Sequence, residues 1–161
     1  MARRVFFSFH HQEDSWRVAQ VRNSWLLRKG ETNTFMDAAA WEAVRSKGDA
    51  LVKRWIDRQL HGTSVTVVLI GRHTSERRYV RYEIEQSYKR GNGLLGIHIH
   101  GIKSRTGRTS GRGKNPMEDI VVIANDPWLG LFGLQSPQAL SEIFKTYCWI
   151  TDDGRENIPN W

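Results

Sequence analysis

Residues 63–71 read TSVTVVLIG, and the fold turns on this stretch. From Val65 to Ile70 the residues are apolar or β-branched, with no alternation of polar and apolar side chains. A strand reads this way when both of its faces are covered, which is the position of a central strand in a parallel sheet. Upstream, WIDRQL (55–60) continues an amphipathic pattern in which Val52, Trp55, Ile56, Gln59 and Leu60 share an inner side. Downstream, SERRYVRYEIEQSYKRG (75–91) has helical spacing and GLLGIHIH (93–100) is again strand-like. A helix–strand–helix–strand order around an all-apolar strand predicts a parallel α/β sheet.

The N-terminal part extends the alternation. RVFFSF (4–9) is a strand, and Asp14 or Ser15 is expected to cap a helix with Val18, Val21 and Trp25 on one face, ending near Gly30. TFMD (34–37) marks a short second strand, expected near 33–36, followed by an irregular turn over 38–48. After a Gly-, Ser- and Arg-rich loop (101–119), IVVIA is strand-like, SPQALSEIFK helical and TYCWI strand-like. Neither a repeat nor a linker divides the chain, so one domain over 1–161 is expected. In such folds ligands bind beyond the carboxyl ends of the strands.

Composition narrows the function classes. Of 161 residues, 39% are hydrophobic and 25% charged, a globular balance. The longest apolar runs are far too short for a membrane span, and the N-terminus lacks a secretory pattern, so a cytoplasmic protein is expected. The single Cys148 allows no internal disulfide. Net charge is +7, but residues 103–114 supply five basic residues and no acid, and without them the charge falls to +2. The excess is therefore local. A solvated flexible loop explains it best, and a nucleic-acid partner is not expected.

Two glutamates on the third helix compete for a chemical role. Glu85 has Arg81 four residues before it and Lys89 four after, a solvated ion-pair setting. Glu83 has Tyr79, Val80, Gln86 and Ser87 as its helical neighbours and no basic partner on its stripe. It borders the face formed by Val80, Ile84 and Tyr88, where desolvation raises a carboxyl pKa. A tolerated boundary glutamate stands as the rival reading of Glu83.

RVFFSFHHQED (4–14), FMDAAAWE (35–42), WIDRQLHGTSVTVVLIG (55–71), RRYVRYEIEQS (77–87), GNGLLGIHIHGIKS (91–104), GKNP (113–116) and TYCWITDDG (146–154) together resemble the bacterial TIR-like family of Thoeris antiphage systems. The resemblance spans nearly the whole chain in conserved block order. It implies a flavodoxin-like TIR fold and cleavage of NAD as substrate, with no cofactor. In enzymatic TIR domains the third helix carries a Trp-Cys-x-x-Glu pattern; Tyr79, Val80 and Glu83 stand at the matching positions here. Glu83 is thereby identified as catalytic. The resemblance also implies substrate contacts at Ser8, Phe9 and His10, and at Asp37 after the second strand. Trp41, beside Asp37, and Tyr79, as a ring to stack on substrate, complete the set. Self-association and a separate effector that recognises an ADP-ribose-derived signal follow as expected partners. A non-catalytic TIR adaptor acting by assembly is the alternative, and the Glu83–Tyr79 pair favours the enzyme.

His98 and His100 point to one side of a strand at their spacing, but no third ligand accompanies them, and two core-edge histidines are expected rather than a metal site. GRGKNP (111–116) has the glycines and cations that suit a pyrophosphate, without the strand-to-helix context of a P-loop.

Overall fold

The computed structural model describes residues 4–29, 44–123 and 136–157. Its main sheet contains β1 (Val5–Ser8), β2 (Val65–Ile70), β3 (Gly93–His98) and β6 (Thr146–Cys148), all parallel, in the order β1-β2-β3-β6. The expected strand over 33–36 lies outside the described residues. β2 is interior, as its all-apolar sequence requires, with Val67 opposite Phe7 on one side and Leu95 on the other.

The period-2 alternation of each strand divides the core between two faces. On one, Phe7, Val67, Leu69, Leu95 and Ile97 pack with Val18 and Val21 of α1 (His11–Lys29). On the other, Val68, Ile70 and Leu94 pack with Val80 and Ile84 of α3 (Arg78–Lys89). Phe6 turns to that second side and meets Val52, Trp55, Ile56 and Leu60 of α2 (Asp49–Leu60). A parallel sheet with helices on both faces is what residues 63–71 and the alternation around them predict, and it agrees with the flavodoxin-like fold that the family resemblance implies.

Several local expectations are corrected. α1 begins at His11, before either expected cap. Asp14 is instead buried and ion-paired with Arg17 at 3.2 Å, and the Ser15 hydroxyl donates back to the His11 carbonyl. The segment read as a helix over 136–145 is mostly not one. Pro137–Ala139 forms β5, antiparallel to β4 (Val121–Ile123) in a separate two-stranded sheet. Only one helical turn, α4 (Leu140–Ile143), follows. A last turn, α5, covers Gly154–Asn157.

The basic loop is not the free solvent loop expected. Arg17 Nε donates to the Ile102 carbonyl at 2.9 Å, a second Arg17 nitrogen reaches the Arg108 carbonyl at 3.3 Å, and Gln20 donates to the Lys103 carbonyl at 2.9 Å. Farther along, Gly113 lies so close to the Gly71 carbonyl that a Cβ there would stand 1.9 Å from it. The loop is strapped across the carboxyl edge of the sheet by α1.

Candidate functional site

α3 carries Glu83 on the same side as Val80, Ile84 and Ser87, and that side packs against the sheet. Glu83 is therefore not at a boundary: it is only 2% exposed. Its position is set by Ser8, the last residue of β1, whose hydroxyl donates to Glu83 Oε2 at 2.5 Å. Among the described residues Oε1 makes no hydrogen bond. Burial pushes the Glu83 carboxyl up to about 8, against the opposing pull of the Ser8 hydroxyl. Among the described residues no cation stands beside it to offset the desolvation. With its pKa raised to about 8, the carboxyl is mostly protonated at neutral pH.

Glu83 lines a cavity of about 470 Å³ at the carboxyl end of β1, within the size range of small-molecule sites. Phe9, His10 and Tyr79 line the same cavity. Burial, and then the charge of Arg77, lowers the His10 pKa, which keeps the imidazole neutral. The Tyr79 hydroxyl donates to Asp49 Oδ1 at 3.1 Å, and Arg78 lies 4.5 Å over the Tyr79 ring. One face of that ring is therefore already occupied, which limits the stacking expected of it. Of the residues singled out in the sequence, the structure brings Ser8, Phe9, His10, Tyr79 and Glu83 together. Asp37 and Trp41 lie outside the described residues.

Glu85 sits apart, half-buried on the outer side of α3. It accepts from Arg81 Nε at 2.8 Å and borders only a shallow recess of about 180 Å³. That is the ion pair its spacing predicts. The two histidines of β3 and its following turn form an edge-to-face pair, ring centroids 5.9 Å apart. Burial lowers His98 to about 4 and also lowers His100, each helped by Arg112. Both are neutral and away from the cavity. Residues 103–114 likewise contribute nothing to the cavity wall.

Sequence reasoning passed over two parts of the wall. One is Gly48 with Asp49, the N-terminus of α2; the other is Arg77, immediately before α3. The Gly-Asp pair ahead of an amphipathic run was a readable helix-start signal. Arg77 carried none, because it is one of three arginines in SERRYVR (75–81) with no periodic distinction.

Comparison with known proteins agrees with this arrangement. The family model of the Thoeris protein ThsB, TIR-like domain, matches residues 6–104, which contain all but the first residue of β1, the whole of α3 and all the described cavity residues. The Bacillus cereus (strain MSX-D12) protein ThsB1, whose name carries cyclic ADP-D-ribose synthesis as its proposed activity, is 34% identical. That alignment covers the whole of this chain and 99% of the relative. On the match to most of the chain and the end-to-end relative, the protein belongs to the TIR-like family of the Thoeris protein ThsB.

Proposed function

We propose that the protein cleaves the nicotinamide–ribose bond of NAD and closes the ADP-ribosyl group into a cyclic signal, with Glu83 as the catalytic residue. The observation that carries this reading is a carboxyl group buried at the wall of an otherwise open cavity, fixed by Ser8 and one helical turn from Tyr79. When the glycosidic bond breaks, its electron pair goes to the pyridinium nitrogen, and nicotinamide leaves neutral without a proton. The positive charge moves to the ribose as an oxocarbenium-like centre. An ionised Glu83 supplies the countercharge at that point.

The pKa of about 8 fits two successive tasks. Binding the cationic nicotinamide riboside end favours the ionised form. Capture of the ribosyl centre by a nucleophile of the same molecule then releases a proton, and a carboxylate with this affinity is a competent acceptor near neutrality. Burial of Glu83 keeps water scarce at the reacting carbon, which favours internal capture over hydrolysis. Phe9 and Tyr79 provide apolar surface for a ring, and Ser8 orients the carboxyl. No helix among the described residues is long and apolar enough to cross a membrane. A cytoplasmic enzyme whose product acts on a separate effector in antiphage defence completes the proposal.

The test is incubation of the purified protein with NAD and mass spectrometry of the products. Free nicotinamide with an ion of ADP-ribose less one water is the expected outcome. Nicotinamide with linear ADP-ribose alone would contradict the cyclisation. Intact NAD across phage-infected and uninfected lysates, despite folded protein, would contradict the activity.

A further inference from the structure

A row of buried hydroxyls runs from Glu83 into the interior of the sheet. Of the β2 residues that face α3, Thr66, Val68 and Ile70, only Thr66 is polar. It is fully buried, as are Ser87 of α3 and Ser8 of β1. The Ser87 hydroxyl donates to the Glu83 carbonyl, one turn before it, at 2.7 Å. Thr66 Oγ1 lies 2.7 Å from Ser87 Oγ. A hydroxyl has one proton, and that of Ser87 is given to the carbonyl, so Thr66 is the donor in the second bond. The chain therefore runs one way, from Thr66 through Ser87 to the main chain of Glu83. At its carboxyl end Glu83 is held separately, by the hydroxyl of Ser8. The two attachments have matched spacing. Thr66 stands opposite Phe6 in the sheet register, two residues before Ser8. Two strand residues span about 6.6 Å, and the four helical steps from Glu83 to Ser87 span about 6 Å. Because α3 runs back against the strands, the earlier sheet hydroxyl meets the later helix residue.

We infer that Thr66 and Ser87 are positioning residues, which fix the register of α3 on the sheet so that the Glu83 carboxyl meets Ser8 at the cavity wall. This rests on the reading of Glu83 as the catalytic residue. The apolar contacts of Val80 and Ile84 with Val68 and Ile70 hold the helix to the sheet, but burial of this kind is non-directional and tolerates a small slide. Hydroxyl bonds are directional and do not. Neither Thr66 nor Ser87 is among the described residues that line the cavity, so each acts through Glu83 and not on substrate. Packing alone gives no reason for a threonine here. A valine has the same branched shape and no hydroxyl to desolvate, and a serine can bond back to its own helix without a partner on the sheet. If the pair served only to fill the core, Thr66→Val would be harmless.

Two substitutions at Thr66 separate the hydroxyl from the shape: Thr66→Val removes the donor, and Thr66→Ser keeps it while losing a methyl group. The readouts are steady-state NAD turnover and titration of Glu83 by carbon-13 NMR of the full chain labelled at its glutamate carboxyls. Thr66→Val is expected to lower kcat about tenfold and to leave KM within about twofold of wild type. Its Glu83 should titrate below the wild-type value of about 8, because a displaced carboxyl gains water. Thr66→Ser should melt at a lower temperature than the wild type yet keep its kcat and its Glu83 titration. Ser87→Ala should repeat the Thr66→Val result from the helix side, and it takes that variant's place should Thr66→Val fail to fold. The inference is overturned if Thr66→Val matches the wild type in both readouts, an outcome that leaves the enzymatic reading standing. It is equally overturned if kcat falls while the Glu83 titration stays put, or if Thr66→Ser is impaired as much as Thr66→Val. A moved Glu83 titration in Thr66→Val, with no NAD cleavage by the wild type, would uphold the positioning and sink the catalytic role of Glu83.

Discussion

Glu83 is held in the core by one hydrogen bond from a serine 75 residues away. An amphipathic pattern shows which helical positions turn inward, and it placed Glu83 near the core face without a basic partner on its own stripe. It could not show depth, because depth depends on β1 packing across the top of that helix. The difference matters energetically. A boundary carboxylate substitutes with little effect, whereas a buried one with its pKa raised from 4.5 to about 8 works against the fold once it ionises. Between those two values the folded protein holds a proton that the unfolded chain has lost, so stability declines as pH rises through the window. Glu83→Gln removes that dependence while keeping a group that accepts from Ser8. In thermal melts the variant should match the wild type near pH 4 and exceed it by several degrees near pH 9. Equal melting temperatures at both ends would mean that Glu83 is not desolvated as the structure has it.

At the scale of elements, the departures from expectation arise where distant partners override a local pattern. SPQALSEIFK has helical spacing, but Pro137–Ala139 is drawn into pairing with Val121–Ile123 and the Leu140 amide bonds to the Ile120 carbonyl. Helix begins only at the buried Leu140 and lasts one turn. The basic loop is a similar case: its glycines and arginines imply solvent, yet Arg17 reaches out from α1 to bind its backbone. Asp14 behind Arg17 is 1% exposed, and burial raises its pKa even with that guanidinium adjacent. Arg17→Ala therefore removes two loop anchors and strands a buried carboxyl. Breaking a buried pair in this way costs roughly 3 kcal/mol, which lowers the melting temperature by about 10 °C for a chain of this size. Hydrogen exchange at residues 102–108 should quicken in the same variant. A melting temperature within a degree or two of wild type would show that the strap contributes nothing to stability.

Across the whole molecule, the parallel sheet was the most legible feature, because a strand apolar on both faces has few other places to be. β2 needs cover on each side, and α1 and α3 provide it. The topology in turn brings the end of β1, the start of α2 and the first turns of α3 to one sheet edge, where the cavity forms. The candidate site was legible where residues share an element, as Tyr79 and Glu83 do. It was not where the wall is assembled from separate elements, as with Gly48 and Arg77. The central claim is that this assembled edge makes Glu83, and not its neighbour Glu85, the group that acts on NAD. Its most direct measurement is nicotinamide release by the wild type, Glu83→Gln and Glu85→Gln under one activating condition. Loss of the Glu83 charge withdraws about 3 kcal/mol from the oxocarbenium-like state, so turnover should fall about a hundredfold. Glu85→Gln gives up only an exposed pair with Arg81 and should stay within twofold of wild type. Undiminished release by Glu83→Gln, or silencing by Glu85→Gln, would contradict the account.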